Sequence, residues 1–316
     1  MADQQTIAVV GATGAQGGGL VRAILADPAG PFRARALTRN PDADKARTLA
    51  ERGAEVVAAD LDDPASLRAA FDGAHGAFCV TNFWEHFSPE KELAQATNLA
   101  RAAKDAGLRH VVWSTLEDTR KWIPLDDDRM PTLQGKYKVP HFDAKAEADE
   151  AFRSLGVPTT FLMASFYWEN FIYFGLNPRP GPDGVLALTL PMGDVPLAGI
   201  AAEDIGRCAY GVFKAGDQYV GQTVGIASDH LTGGEIAAAM GRALGQEVRY
   251  NAVEPDVFRS FGFPGADEVG NMFQFYRDFG PDVLAARDVA QTRALNPALQ
   301  PFEDWLAQHA HQMPLA

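Results

Sequence analysis

Cysteine is scarce. Cys79 and Cys208 are the two present, which rules out a disulfide framework and gives no metal-type spacing. Both lie among apolar neighbours, the setting of buried reduced thiols. Positive charge is also short, with 28 Lys and Arg against 41 Asp and Glu and a formal net charge of −13. An acidic surface repels a phosphate backbone, which disfavours direct nucleic-acid binding. No hydrophobic run is long enough to span a bilayer. Residues 1–6 carry no basic lead-in, and Gly11 interrupts the short apolar run that follows. These absences lead us to expect a cytoplasmic protein without a membrane partner. There are no repeats and no low-complexity tract. The run Asp126-Asp127-Asp128 has no flanking ligand pattern and reads as a solvated loop. His309 and His311 have no carboxylate partners in sequence and read as exposed, so no metal site is expected.

What is present is globular material, 47% hydrophobic and 22% charged over 316 residues, enough for a large core without cross-links. Apolar runs at residues 6–10, 33–38, 55–59, 77–81, 110–113 and 159–164 read as strands. Residues 17–26, 43–53, 64–71, 89–106 and 141–155 read as helices. Continuous apolar strands separated by helices make a parallel sheet covered on both faces. The alternation predicts an α/β fold, a Rossmann doubly wound parallel sheet, over residues 1–165. Prolines and glycines crowd residues 175–200, and the pattern then changes. Strands are expected at 184–190 and 223–227, and helices at 202–213, 234–244, 256–261 and 268–279. Residues 166–316 are read as a smaller C-terminal α+β lobe for a substrate or partner, its strands free to return to the main sheet.

The first strand runs into Gly11-Ala12-Thr13-Gly14-Ala15-Gln16-Gly17, a G-x-x-G-x-x-G turn that opens a helix. Such glycines permit a tight turn, close approach of backbone amides to a diphosphate, and close packing of helix on strand. The helix N-terminus then faces the anion. A dinucleotide is the ligand this arrangement suits. At the end of the second strand, where an acidic residue would bind a ribose 2′-hydroxyl, stand Arg39 and Asn40. A guanidinium suits a 2′-phosphate, so NADP(H) is preferred over NAD(H). Asp60 and Leu61 end the third strand and Thr81, Asn82 and Phe83 the fourth. Both sites suit cofactor contacts at the carboxyl edge of the sheet. A cap for the helix at Pro64 is an equal reading for Asp62 or Asp63. Phe83 and Trp84 are candidates for a pocket wall or for ordinary packing. Tyr167 and Asn170 follow the sixth strand and are further cofactor-side candidates.

These residues, with Thr38-Arg39-Asn40-Pro41, Val80-Thr81-Asn82-Phe83-Trp84-Glu85, His141-Phe142-Asp143-Ala144-Lys145, Phe166-Tyr167-Trp168-Glu169-Asn170-Phe171 and Leu190-Pro191-Met192-Gly193-Asp194, resemble the NmrA-like family nearly end to end, and most closely its redox-sensor branch. The resemblance implies an atypical short-chain dehydrogenase fold, NADP(H) binding and a regulatory role exerted through protein contacts. Related branches reduce quinones, dyes or phenylpropanoids. The superfamily's catalytic pattern is Tyr-x-x-x-Lys on one helix face, with a serine from the fifth strand. Here His141 stands four residues before Lys145, and Ser114 or Thr115 ends the fifth strand. Lys145 can still bond ribose hydroxyls. His141 is a candidate general acid, a cap or a lining residue. Residues 117–140 read either as a lid over the nicotinamide or as a surface excursion. The first functional reading is a cofactor-responsive redox sensor with a regulatory protein partner and weak or no dehydrogenase activity. The alternative is an NAD(P)H-dependent oxidoreductase acting on a small aromatic or quinone-like substrate. A homodimer stays open.

Overall fold

Residues 4–315 are described by a computed structural model; residues 1–3 and 316, at the outer ends of the two expected units, lie outside the described residues, as does half of the 1–6 lead-in. The chain begins with β1 (Gln5–Val9), α1 (Ala15–Leu25), β2 (Phe32–Thr38), α2 (Asp44–Glu51), β3 (Glu55–Ala58) and α3 (Pro64–Phe71). It continues through β4 (Gly76–Cys79), α4 (Pro89–Asp105), β5 (His110–Thr115), α5 (Pro140–Ser154) and β6 (Thr159–Met163). Side chains alternate across the strands. Ile7 and Val9 join Leu20, Ile24 and Leu49 of α1 and α2 on one face, while Ala8 and Val10 join Leu67, Leu99 and Phe152 of α3, α4 and α5 on the other. Helix starts follow local chemistry. Asp63 caps α3 by accepting the Ala65 N–H, and Ser88 caps α4 by accepting that of Lys91, each ahead of a first-turn proline. Asp62 instead pairs with Lys91 and accepts from Gln95.

The second half adds β7 (Phe166–Tyr167), α6 (Asn170–Tyr173), β8 (Arg179–Pro180), β9 (Leu186–Leu190), β10 (Leu197–Ile200), α7 (Ala202–Lys214), β11 (Thr223–Gly225) and β12 (Asp229–Leu231). It ends with α8 (Gly233–Leu244), β13 (Val248–Ala252), α9 (Pro255–Arg259), α10 (Ala266–Asp278), α11 (Gly280–Ala285), α12 (Val289–Leu295) and α13 (Phe302–His309). Seven strands form one sheet in the order β11-β6-β5-β4-β1-β2-β3, every pair parallel. This is the expected α/β class, a Rossmann-like sheet with smaller mixed sheets behind it. Those sheets are β12-β10-β7 and β13-β9-β8. Strand β11 does return to the main sheet, and Ile205 and Val212 of α7 share the core of α1. Strands β7, β8, β10, β12 and β13 were not expected; at two to five residues most are too short for a period-two signal.

A third core joins Leu188, Ile236, Met240, Phe273 and Trp305 of the second half to Ile123, Met130 and Val139. Residues 117–140 therefore fold down onto α10. Asn271 Nδ2 donates to the carbonyls of Pro131 (2.9 Å) and Lys138 (2.6 Å), and Gln274 Nε2 to that of Arg129 (2.7 Å). Ile123, Met130 and Val139 anchor the segment in that core while Leu125, Asp126, Arg129 and Lys136 stay exposed, and none of residues 117–140 lines the large cavity described below. Cys79 and Cys208 are free and buried, and burial pushes both thiols up. Asp127 pairs with Arg129 at the surface. His309 is not simply exposed as expected: its ring stacks on Trp305 and Nδ1 lies 2.8 Å from the Trp305 carbonyl. Among the described residues no helix is long and apolar enough to cross a membrane.

Candidate functional site

The turn after β1 is built by its glycines. Gly11 sits at φ +65°, a conformation open to glycine at little cost. A β-carbon on Gly17 would lie 2.5 Å from the Val10 carbonyl oxygen. The Gly14 N–H closes the turn on the Gly11 carbonyl at 2.8 Å. Gly14 precedes α1 as its cap residue and supplies no side-chain acceptor, so the first amides of α1 have no side-chain cap.

The turn opens onto a cavity of about 710 Å³. Gly11, Thr13, Gly14, Ala15, Gln16 and Gly17 line its floor. Arg39, Asn40, Asp60 and Leu61 line it beside β2 and β3, and Thr81, Asn82, Phe83, Lys145, Tyr167 and Asn170 continue the wall. The far end is apolar, with Phe142, Phe166, Phe174, Met272 and Tyr276 around Trp84 and His141. One expected residue is not brought in. Ser114 is buried in β5 and does not line the cavity, whereas Ser165, just past β6, does and its buried hydroxyl has no partner.

Arg39 makes a two-pronged pair with Glu85, which lines the same cavity. The carboxylate beside it raises the guanidinium's pKa further. Gln16 donates to the Tyr167 hydroxyl and so ties the glycine turn to β7. Its own Oε1 is buried without a partner. Burial pushes the Tyr167 phenol up.

On α5, Lys145 and His141 stand one turn apart. Lys145 Nζ donates to Glu92 Oε1 at 2.6 Å, Thr81 Oγ1 at 2.9 Å and the Thr81 carbonyl at 3.1 Å. Glu92 is wholly buried. His141 packs against Trp84 with ring centroids 4.7 Å apart. Its backbone N–H and its Nδ1 both meet Glu268 Oε1, at 2.6 and 2.7 Å. The turn carrying it is fixed by Asp143, whose Oδ2 accepts the Lys138 and Val139 amides and whose Oδ1 accepts the Thr119 amide and hydroxyl. Burial raises the pKa of that carboxyl. Glu92, Ser165, Glu268, Met272 and Tyr276 were missed by sequence reasoning. No spacing rule connects them to their partners.

The model of the NmrA-like family matches residues 3–306. The chain belongs to the NmrA-like family. An NmrA-like family domain-containing oxidoreductase, FrzB of Cladobotryum sp, is 32% identical over 91% of this chain and 90% of its own length. A second, hkm9 of Aspergillus hancockii, is 30% identical over 89% and 87%. Among solved structures, NmrA, a negative transcriptional regulator, in complex with NADP superposes with a TM-score of 0.77 at 26% identity, covering 96% of this NmrA-like chain and 95% of that one. The same regulator in complex with NAD gives the same values.

Proposed function

We propose that this NmrA-like protein is an NADP(H)-dependent oxidoreductase that reduces a small conjugated acceptor such as a quinone, a dye or an enone. The observation that carries the reading is one cavity with a diphosphate-type glycine turn at one end and an imidazole in an aromatic box at the other. The residues fit a dinucleotide. Gly17 has no room for a side chain, the first amides of α1 are uncapped, and the buried Gln16 Oε1 and Ser165 Oγ lack partners, a state that buried polar atoms rarely keep without a ligand or water. The turn and α1 would hold the diphosphate, Arg39 the 2′-phosphate, and Lys145 with Thr81 the ribose beside the nicotinamide. The cofactor supplies hydride. On this reading residues 166–316 furnish most of the acceptor side, and Trp84, Phe142 and Tyr276 exclude water and favour a flat apolar acceptor. His141 holds the proton for the acceptor's oxygen, in the place the superfamily gives to tyrosine. The oxidoreductase names of the two relatives support this reading over the sensor reading.

The preference for NADP(H) rests on Arg39, since the regulator is known with both dinucleotides. Arg39→Glu is expected to weaken NADPH binding about a hundredfold, the scale of a lost charge-assisted contact plus repulsion, and to leave NADH binding within a few-fold. Calorimetric titration checks it, and equal losses would remove Arg39 as the selector. A second reading, a cofactor-responsive regulator, draws support from the likeness to that regulator. An absorbance screen for NADPH consumption with quinones, dyes and enones separates the two. Tight NADPH binding with no consumption above background across the panel would favour the regulator.

A further inference from the structure

His141 stands at the second residue of α5, with the cavity on one side of its ring and α10 on the other. Glu268, in the first turn of α10, lies 127 residues further along the chain. Its Oε1 takes two bonds from His141, the backbone N–H at 2.6 Å and Nδ1 at 2.7 Å. A carboxylate only accepts, so Nδ1 keeps its proton in the neutral ring and in the imidazolium alike, and Nε2 is the nitrogen that can gain and give up the second proton. Both side chains are buried. The ring is otherwise bordered by Phe83, Trp84 and Phe142, with centroids 5.9, 4.7 and 4.6 Å away. An imidazolium in such surroundings needs a counter-charge in contact with it, and Glu268 provides one.

The geometry points to Glu268 as the positioning residue of a proton-donating pair, holding His141 in the form that delivers a proton from Nε2 into the cavity. The inference rests on the oxidoreductase reading. When the acceptor takes hydride from NADPH, the acceptor is reduced and the cofactor oxidised, and the acceptor's carbonyl π pair moves to oxygen. The Nε2–H bond of the imidazolium breaks as the new O–H bond forms, and the neutral ring, still bonded to Glu268 through Nδ1–H, regains its proton from solvent. Glu268 never touches the acceptor. It sets tautomer and orientation, as the carboxylate does in other acid–base pairs.

A cap on α5 would explain the backbone bond alone, so the test must separate the two roles. Glu268→Gln keeps an acceptor oxygen for both bonds and removes the charge. It is expected to keep the melting temperature and the NADPH affinity of the wild type, to hold KM for a quinone within about twofold, and to lose kcat by roughly ten- to a hundredfold, the scale of general acid catalysis. In a His141→Gln background the same change should do nothing further. Retained kcat in Glu268→Gln, or an equal loss in both backgrounds, would overturn the pairing. If the wild-type chain consumes no NADPH with any acceptor, the oxidoreductase reading fails by itself. Nitrogen-15 spectra then decide the pair: an Nδ1–H imidazole at His141 that becomes a tautomer mixture in Glu268→Leu sustains it, and unchanged spectra overturn it.

Discussion

The two ends of the cavity are assembled in different ways. At the phosphate end the working parts lie within seven consecutive residues, Gly11 to Gly17, and their geometry follows from missing side chains. At the end proposed for the nicotinamide and the acceptor each working group leans on a distant partner: Lys145 on Glu92 across 53 residues, His141 on Glu268 across 127. A backbone device tolerates almost no added atoms but needs few neighbours. A side-chain device depends on buried pairs that are costly to break.

Lys145→Ala should give the largest effect. It leaves the wholly buried Glu92 carboxylate without its cation, and loss of one partner of a buried pair costs about 3–5 kcal/mol. Denaturant unfolding should show that loss together with weaker NADPH binding, and Glu92→Gln added to it should restore much of the stability but not the affinity. Full stability in Lys145→Ala would erase the contrast between the ends. Gly17→Val is next. Its β-carbon would press on the Val10 and Gly11 carbonyl oxygens at 2.5 and 2.6 Å, backbone that cannot yield cheaply. A misplacement of roughly 3 kcal/mol corresponds to about a hundredfold in affinity, read by titration with NADPH.

Asp149 is a long-range buried carboxylate away from the cavity, and it sharpens the comparison. It accepts from Trp113 Nε1 at 3.0 Å and Thr115 Oγ1 at 2.7 Å, and burial pushes its pKa up to about 6. The folded chain therefore keeps this proton over a range where the unfolded chain has lost it, and through this group stability falls as pH rises from about 4 to about 6. Asp149→Asn should remove that slope, stabilise the protein at pH 8 by about 3 kcal/mol and leave NADPH affinity unchanged. A destabilised variant at pH 8 would show that the charge is wanted there. The smallest effect is expected for Glu85→Gln, which releases Arg39 from an exposed pair. Such pairs are worth under about 1 kcal/mol, so NADPH should bind up to about fivefold tighter and NADH unchanged. Weaker NADPH binding would make Glu85 a helper rather than a competitor.

The same difference explains what could be read from the sequence. Strands buried on both faces write continuous apolar runs, so the parallel sheet and its helices were legible, as was the glycine turn that follows the first of them. A spacing of four is enough to put His141 and Lys145 on one helix face. Ser114 was misplaced because it is buried within β5 and the Thr115 hydroxyl is spent on Asp149, so the cavity meets Ser165, past β6, instead. Glu268 was illegible because its role is set by where α10 packs, not by any pattern near it. The short strands β7, β8 and β12 exist through their hydrogen-bond partners and have no period of their own.

The outermost strand of the large sheet, β11, comes from residues 223–225 and pairs with β6. During synthesis the chain must therefore emerge through more than two-thirds of its length before the edge of β6 is covered. Until then an apolar strand, Thr159 to Met163, offers unpaired backbone groups to any neighbour. A nascent chain stalled between these two strands is expected to aggregate more readily than one in which β11 has paired.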